Sequence, residues 1–243
     1  MTDRRNFLAT GLAAATAATS ASTLSAGEAV KIQGGEVILF QGDSITDARR
    51  DKKTQEANHA QSLGYGYPAH ISGGLLFEHA GAGLTIHNRG ISGNKVPDLE
   101  ARWQVDCIDL KPNLLSILIG VNDIWHKLNG RYDGTPEVYR DGFTNLVAST
   151  KEALPGLALV ICEPFVLRCG AVTDDWFPEF ETRRSYAESV AKEAGAIWVP
   201  FQKAFDEAVA AGTPPEYWAG DGVHPSVAGH ALMAATWRKS VGI

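Results

Sequence analysis

The sequence predicts one α/β domain in three layers, a five-stranded parallel sheet covered on both faces by helices. Three observations predict it. Apolar runs of strand length alternate along the chain with longer segments of helical periodicity. The 243 residues suit a single domain of ordinary size. The chemically unusual residues stand directly after apolar runs, where the loops leaving the carboxyl ends of parallel strands converge on one edge.

Residues 1–26 stand apart from that pattern. Arg4-Arg5 precede Asn6, Phe7 and Leu8, and a mildly apolar stretch rich in Ala and Thr continues to Thr23, with small residues from Ala21 to Ala26. Basic, then apolar, then small is the order of a secretory signal with a twin-arginine start. The expectation is a signal peptide over 1–26, a folded domain over 27–243 and an exported protein, periplasmic or extracellular. The stretch is too weakly hydrophobic for a stable membrane span.

Within the domain the strand-length runs are Val37 to Phe40, Leu84 to His87, Leu114 to Ile119, Leu157 to Cys162 and Ala196 to Val199. Helical spacing, with Pro or Asp near the starts, fills Tyr67 to His79, Pro97 to Leu110, Pro136 to Leu154, Phe177 to Ala194 and Phe201 to Ala211. A last helix is expected from Pro225 to about Ser240. The 44% hydrophobic and 21% charged shares match a packed globular chain. A net charge of −6 and the lack of any Lys or Arg run argue against a nucleic-acid partner. Cys107, Cys162 and Cys169 have no zinc-type spacing, so no metal site follows. A Cys162 to Cys169 disulfide is compatible with export, but Cys162 lies in an apolar run, and buried free thiols are the preferred reading.

The loops after the strands carry the chemistry. The first strand ends in Gly42-Asp43-Ser44-Ile45-Thr46, the second leads into Asn88-Arg89-Gly90-Ile91-Ser92-Gly93-Asn94, and the third ends in Gly120-Val121-Asn122-Asp123. A late loop reads Asp221-Gly222-Val223-His224-Pro225. A serine hydroxyl needs an adjacent base to act as a nucleophile, and a histidine base needs an acceptor that holds its tautomer. Ser44, His224 and Asp221 supply those three roles, with Asp221 close enough in sequence to reach the imidazole. Acyl transfer also builds charge on the carbonyl oxygen, and each preorganised donor aimed there is typically worth about 3 to 4 kcal/mol. The backbone N–H groups of Ser44 and Gly93 and the side-chain amide of Asn122 are the candidate oxyanion hole.

These four segments resemble the four blocks of the SGNH (GDSL-like) hydrolases. Ser44 in Gly-Asp-Ser matches the nucleophile, Gly93 in Gly-Ile-Ser-Gly and Asn122 in Gly-Val-Asn-Asp match the oxyanion-hole residues, and Asp221 with His224 in Asp-Gly-Val-His-Pro match acid and base. Gly-Asp-Ser alone arises by chance in roughly one chain in twenty of this length. All four blocks in order, three of them at strand ends, are far more specific. The resemblance implies a flavodoxin-like sheet and a serine esterase working through an acyl-enzyme, with no metal or organic cofactor. Ile45-Thr46 stands where the lipase branch carries Leu, and Gly-Asp-Ser-Ile-Thr resembles branches acting on carbohydrate esters. The expected substrate is a small-molecule or glycan ester, foremost an acetylated carbohydrate. The alternatives are a lysophospholipase or short-chain lipid esterase, and a carbohydrate-binding module with a vestigial site.

Plainer roles compete at each position. Ser44 suits a helix N-cap, Gly93 a tight turn, and Asn122 and Asp123 a cap for the next segment. His59, His70, His79, His87, His126 and His230 lack partners in sequence and read mostly as structural or solvated. Trp125, His126, Trp176 and Trp218, expected in loops near the site, and Arg168 after the fourth strand are a possible sugar-binding wall, though tryptophan more often fills packing. The oligomeric state is not legible in the sequence.

Overall fold

The structure, a computed structural model, describes residues 30–243. The expected signal segment over 1–26 lies outside them. Five strands, β1 (Val37–Gly42), β2 (Thr85–Asn88), β3 (Leu114–Leu118), β4 (Ala158–Cys162) and β5 (Ile197–Val199), form one sheet in the order β2-β1-β3-β4-β5. Every pairing is parallel. The helices are α1 (Ser44–Asp47), α2 (Ala60–Leu63), α3 (Tyr67–Glu78), α4 (Val96–Asp106), α5 (Val121–Leu128), α6 (Pro136–Ala153), α7 (Glu179–Ala194), α8 (Phe201–Ala210), α9 (Pro215–Trp218) and α10 (Val227–Val241).

Two apolar layers hold these helices to the sheet because successive strand side chains point to opposite faces. Ile38 and Phe40 face one layer with Tyr67, Ile71 and Leu75 of α3, Phe201 and Phe205 of α8, and Met233 and Trp237 of α10. Leu39, Leu115 and Ile117 face the other with Leu99 and Trp103 of α4, Phe143 and Leu146 of α6, and Val190 of α7. Both faces of the central strands are therefore apolar, which is why they read as unbroken hydrophobic runs. The exceptions are Gln41 in β1, whose Nε2 donates to the Asp106 carbonyl at 2.6 Å, and Ser116 in β3, whose hydroxyl accepts from the Trp237 indole N–H at 2.9 Å; both are wholly buried. Cys107, Cys162 and Cys169 are free and buried, as the preferred reading had it.

The expected strands are all present to within one or two residues. The helix expected over Pro97 to Leu110 is broken at Cys107 and finishes as a 3-10 turn, Ile108–Leu110. The last helix begins at Val227 rather than Pro225, because the Ser226 hydroxyl accepts from the Gly229 N–H at 3.2 Å and caps the start. Trp125 and His126, expected in a loop, lie on α5; Trp176 is in a 3-10 turn and Trp218 in α9. The spacing of Val121, Ile124, Trp125 and Leu128 is helical, but it starts immediately after the strand with no polar break.

β1 sits between β2 and β3, so the chain leaves it towards one edge and leaves β3 towards the other. That reversal opens a crevice at the carboxyl ends of β1 and β3. Ser44 opens the helix after β1, and Asn122 lies in the first turn of the helix after β3.

Candidate active site

The loop after β1 turns at once into α1, and its cap is Asp43, whose side chain accepts from the Ile45 N–H at 3.0 Å. The capping role that competes for Ser44 therefore belongs to its neighbour. The Ser44 hydroxyl is free to meet His224, with Oγ 2.8 Å from Nε2. His224 Nδ1 lies 2.6 Å from Asp221 Oδ2. Residues 180 positions apart are thus joined in an unbroken chain of hydrogen bonds.

The protonation pattern follows from Asp221. Burial pushes its carboxyl up, but the bonds from the His224 imidazole and the backbone N–H groups of His224 and Val223 outweigh it and hold the group below the usual carboxylate range. An ionised carboxylate can only accept, so Nδ1 carries the proton that it donates to Asp221. Nε2 is left as the acceptor of the Ser44 hydroxyl proton. The loop that presents this pair is folded by Asp221 itself, whose Oδ1 accepts from Val223 N–H at 2.9 Å and His224 N–H at 2.7 Å.

Ser44, Gly93, Asn122 and His224 line one open cavity of about 310 Å³ together with Ser92, Trp125, His126, Asn129 and Arg131. Gly93 has φ +84°, a left-handed conformation that L side chains rarely adopt, as the turn reading requires, and it also lines the cavity. Asn122 is buried, and its Nδ2 donates to the Asn94 carbonyl at 3.2 Å, which holds the amide against the Gly93 loop. Asp123 is wholly buried and caps a different helix than expected: its Oδ1 accepts from Val96 N–H at the start of α4 at 3.3 Å.

The surrounding wall differs in part from expectation. Trp125 packs on the His224 ring at 5.8 Å, and Trp176 backs Trp125 at 5.6 Å. His126, grouped in the sequence with structural or solvated histidines, lines the cavity. Burial and the neighbouring Lys95 and Arg131 charges push it below its ordinary value, so its imidazole is neutral near pH 7. Arg168 and Trp218 do not line the cavity. Arg168 pairs with Asp174 and lies 3.7 Å over the Phe177 ring, beside a separate groove of about 400 Å³. That groove contains none of the convergent hydrogen-bonded groups, and the chemistry belongs with the smaller cavity. Trp218 packs against Phe205 and Tyr217. The sequence reading missed Ser92, Asn129 and Arg131 as cavity residues; Ser92, inside the second block, was the one with a usable signal. His230 is structural as expected, accepting from the Tyr67 N–H at 3.2 Å.

A serine hydroxyl on a histidine, that histidine on a carboxylate, and Gly93 and Asn122 in the same cavity are an arrangement that can carry out acyl transfer. Residues 40–232 match the GDSL-like lipase/acylhydrolase family. This chain belongs to that family. As a GDSL-like hydrolase it is a carboxylic ester hydrolase, and its five-stranded parallel sheet flanked by helices matches the fold of its structural relatives. The acetylxylan esterase of Geobacillus stearothermophilus is 36% identical over 217 residues, covering 88% of this chain and 97% of that protein. Its crystal structure superimposes with a TM-score of 0.78 at 35% identity, over 88% of this chain and 97% of that one. Two further solved forms of that enzyme are catalytic variants, one with a serine and one with a histidine replaced by alanine. A GDSL-like lipase from Parabacteroides merdae is similar at 45% identity and a TM-score of 0.85, covering 88% of this chain and 99% of that chain. Among the described residues no group of three or more His, Cys, Asp or Glu could hold a metal ion, and no helix is long and apolar enough to cross a membrane.

Proposed function

We propose that this GDSL-like hydrolase removes acetyl groups from carbohydrates, with Ser44 as nucleophile, His224 as general base and acid, and Asp221 holding the imidazole. Ser44 Oγ attacks the acyl carbon while its proton passes to His224 Nε2. The Ser44 and Gly93 N–H groups and Asn122 Nδ2 receive the negative oxygen of the tetrahedral intermediate. Collapse expels the sugar oxygen, which takes the proton from His224, and leaves acetyl on Ser44. Water, deprotonated by the same nitrogen, then releases acetate and restores the serine.

The observation that carries the substrate reading is the character of the cavity wall. Ser92, His126, Asn129 and Arg131 offer polar groups, and Trp125 alone presents a large apolar face. Such a wall suits sugar hydroxyls and one sugar face. The similarity to an acetylxylan esterase supports the same reading. The test is acetate release from acetylated xylo-oligosaccharides beside hydrolysis of aryl esters of increasing acyl length. We expect acetyl to be favoured at least about tenfold over octanoyl in kcat/KM; a preference for long acyl chains or lysophospholipid would overturn the substrate assignment.

Export completes the proposal. Arg4-Arg5 with the Ala- and Thr-rich stretch behind them support a twin-arginine signal, and an exported esterase meets polymers and oligomers instead of acyl thioesters. Lysine at both arginine positions should keep the full-length chain in the cytoplasm; unchanged export of that variant would defeat the assignment.

A further inference from the structure

One buried carboxylate near the nucleophile has no part in proton transfer. Asp47 closes α1, one turn after Ser44, and its side chain is wholly inaccessible. Its Oδ2 accepts from the backbone N–H of Ser92 at 2.9 Å and from the Ser92 hydroxyl at 2.7 Å. The same oxygen meets Lys52 Nζ at 2.7 Å, and Oδ1 accepts from the Arg50 N–H at 3.1 Å. Ser92 immediately precedes Gly93, whose N–H is an oxyanion donor under the proposed mechanism. Asp47 thus bonds the helix that begins with the nucleophile to the residue next to the opposing donor.

The rest of the contact is as close. Ile91 N–H donates to the Gly42 carbonyl at 3.0 Å, and Arg50 Nε donates to the Gly90 carbonyl at 2.8 Å. Asn88 Nδ2 donates to the Thr46 carbonyl at 2.7 Å. A Cβ at Gly90 would lie 2.4 Å from Asp47 N, so the two backbones touch where any other residue would separate them. Burial pushes the Asp47 carboxyl up, but the bonds from Lys52 and Ser92 outweigh that and hold it ionised. A charged acceptor makes roughly twice the hydrogen bond of a neutral one, and here two such bonds fall on one residue.

We propose that Asp47 is a positioning residue that sets the spacing between the Ser44 nucleophile and the Gly93 oxyanion donor by clamping Ser92. The proposal rests on the mechanism above. Asparagine keeps one acceptor oxygen where aspartate has two, so it can serve either Arg50 N–H or Ser92 but not both. Asp47→Asn should lower kcat by between about tenfold and a hundredfold with KM nearly unchanged, since small misplacements of reacting groups cost rates of that order. Ser92→Ala, which loses the hydroxyl bond and keeps the backbone one, should lose a few-fold, and Ser92→Thr should recover most of it.

The experiment is to measure kcat per active site, titrated with an organophosphate, in the Asp47 and Ser92 variants, together with thermal midpoints and the Kd of a boronic acid that forms a tetrahedral adduct on serine, with turnover per mole of protein in Ser44→Ala as the control. The expected result is a kcat loss matched by weaker boronate binding, graded in the order Asp47→Asn, Ser92→Ala, Ser92→Thr. A lowered midpoint with unchanged kcat per titrated site would make Asp47 merely structural and overturn the proposal. An unfolded Asp47→Asn would leave the Ser92 pair as the test, and Ser92→Ala equal to wild type in kcat and boronate Kd would equally overturn it. Activity persisting in Ser44→Ala would instead sink the mechanism on which the proposal stands.

Discussion

The two halves of the site are built differently. Ser44, Gly93 and Asn122 sit on segments that leave the sheet and are bonded to one another through Asp47, Asn88 and Asn94. Asp221 and His224 sit on a loop between α9 and α10, with side chains 41% and 46% exposed, held by bonds within the loop and by the N–H groups of Leu167 and Ala171, which donate to the Gly222 and Asp221 carbonyls at 2.8 and 2.9 Å. The contrast follows the division of labour proposed above. Donors that stabilise a developing charge are effective only if they are already in place, because reorientation during reaction would consume the gain. A base that takes a proton and returns it needs correct aim and access to water for deacylation, which a self-capped, half-exposed loop provides.

Substitutions can break this comparison from either side. The largest effect is expected for Ser44→Ala or His224→Ala, each lowering kcat by at least about a thousandfold, with fold and solubility unchanged because the lost groups are partly exposed. Asp221→Ala should lose less than either, since the imidazole remains. Stopped assays on an acetylated oligosaccharide, with circular dichroism of each variant, decide this; near-wild-type turnover in either of the first two would remove its residue from the mechanism.

Asn122→Ala probes the rigid half and should reduce kcat by about a hundredfold with a smaller change in KM, because its bond to the oxygen strengthens in the transition state. A raised KM with unaltered kcat would make Asn122 a substrate-binding residue.

The smallest expected effect is one of stability. Burial raises the Asp43 carboxyl to about 7, with the nearby Asp123 and Asp47 charges acting in the same direction against the bond from Ile45 N–H. Asp123, also wholly buried, is raised to about 7 by burial. Between the unfolded value of 3.8 and a folded value of about 7, the native state holds protons that the unfolded chain releases. These two groups therefore make stability fall as pH rises through that window, and the loss is complete above it. Asparagine imitates the protonated acid and keeps the acceptor for Ile45. Asp43→Asn should match wild type near pH 4 and exceed it by on the order of 1–3 kcal/mol at pH 8. Urea midpoints at the two pH values measure the difference; a variant less stable than wild type at pH 8 would show that the ionised carboxylate is favourable there.

The legible and illegible parts of the molecule divide on physical grounds. Strand-length apolar runs were read to within a residue or two because β1, β3 and β4 are buried on both faces, so their sequence has little freedom. α5 was hidden because it follows its strand with no break, and α1, α2 and α9 are four residues each, shorter than any period can reveal. The wall around the site is the part least legible in the sequence. Arg168 and Trp218 are suited in type to binding, but Asp174 and Phe177 engage the first and Phe205 and Tyr217 the second.

By itself the sequence determined the domain class, the order of the strands along the chain and the residues of the four blocks, because each depends on local pattern or on a residue type that the chemistry requires. Only the tertiary structure decided that Ser44 and His224 meet at 2.8 Å across 180 positions, that Asp43 and not Ser44 caps α1, and that Asp47 reaches Ser92. The contact from Asp47 to Ser92 joins segments brought together by sheet order, β2 beside β1, and sheet order is set by packing of helices on the two faces. No local periodicity encodes it, since the same runs could pair in other orders with the same pattern of burial.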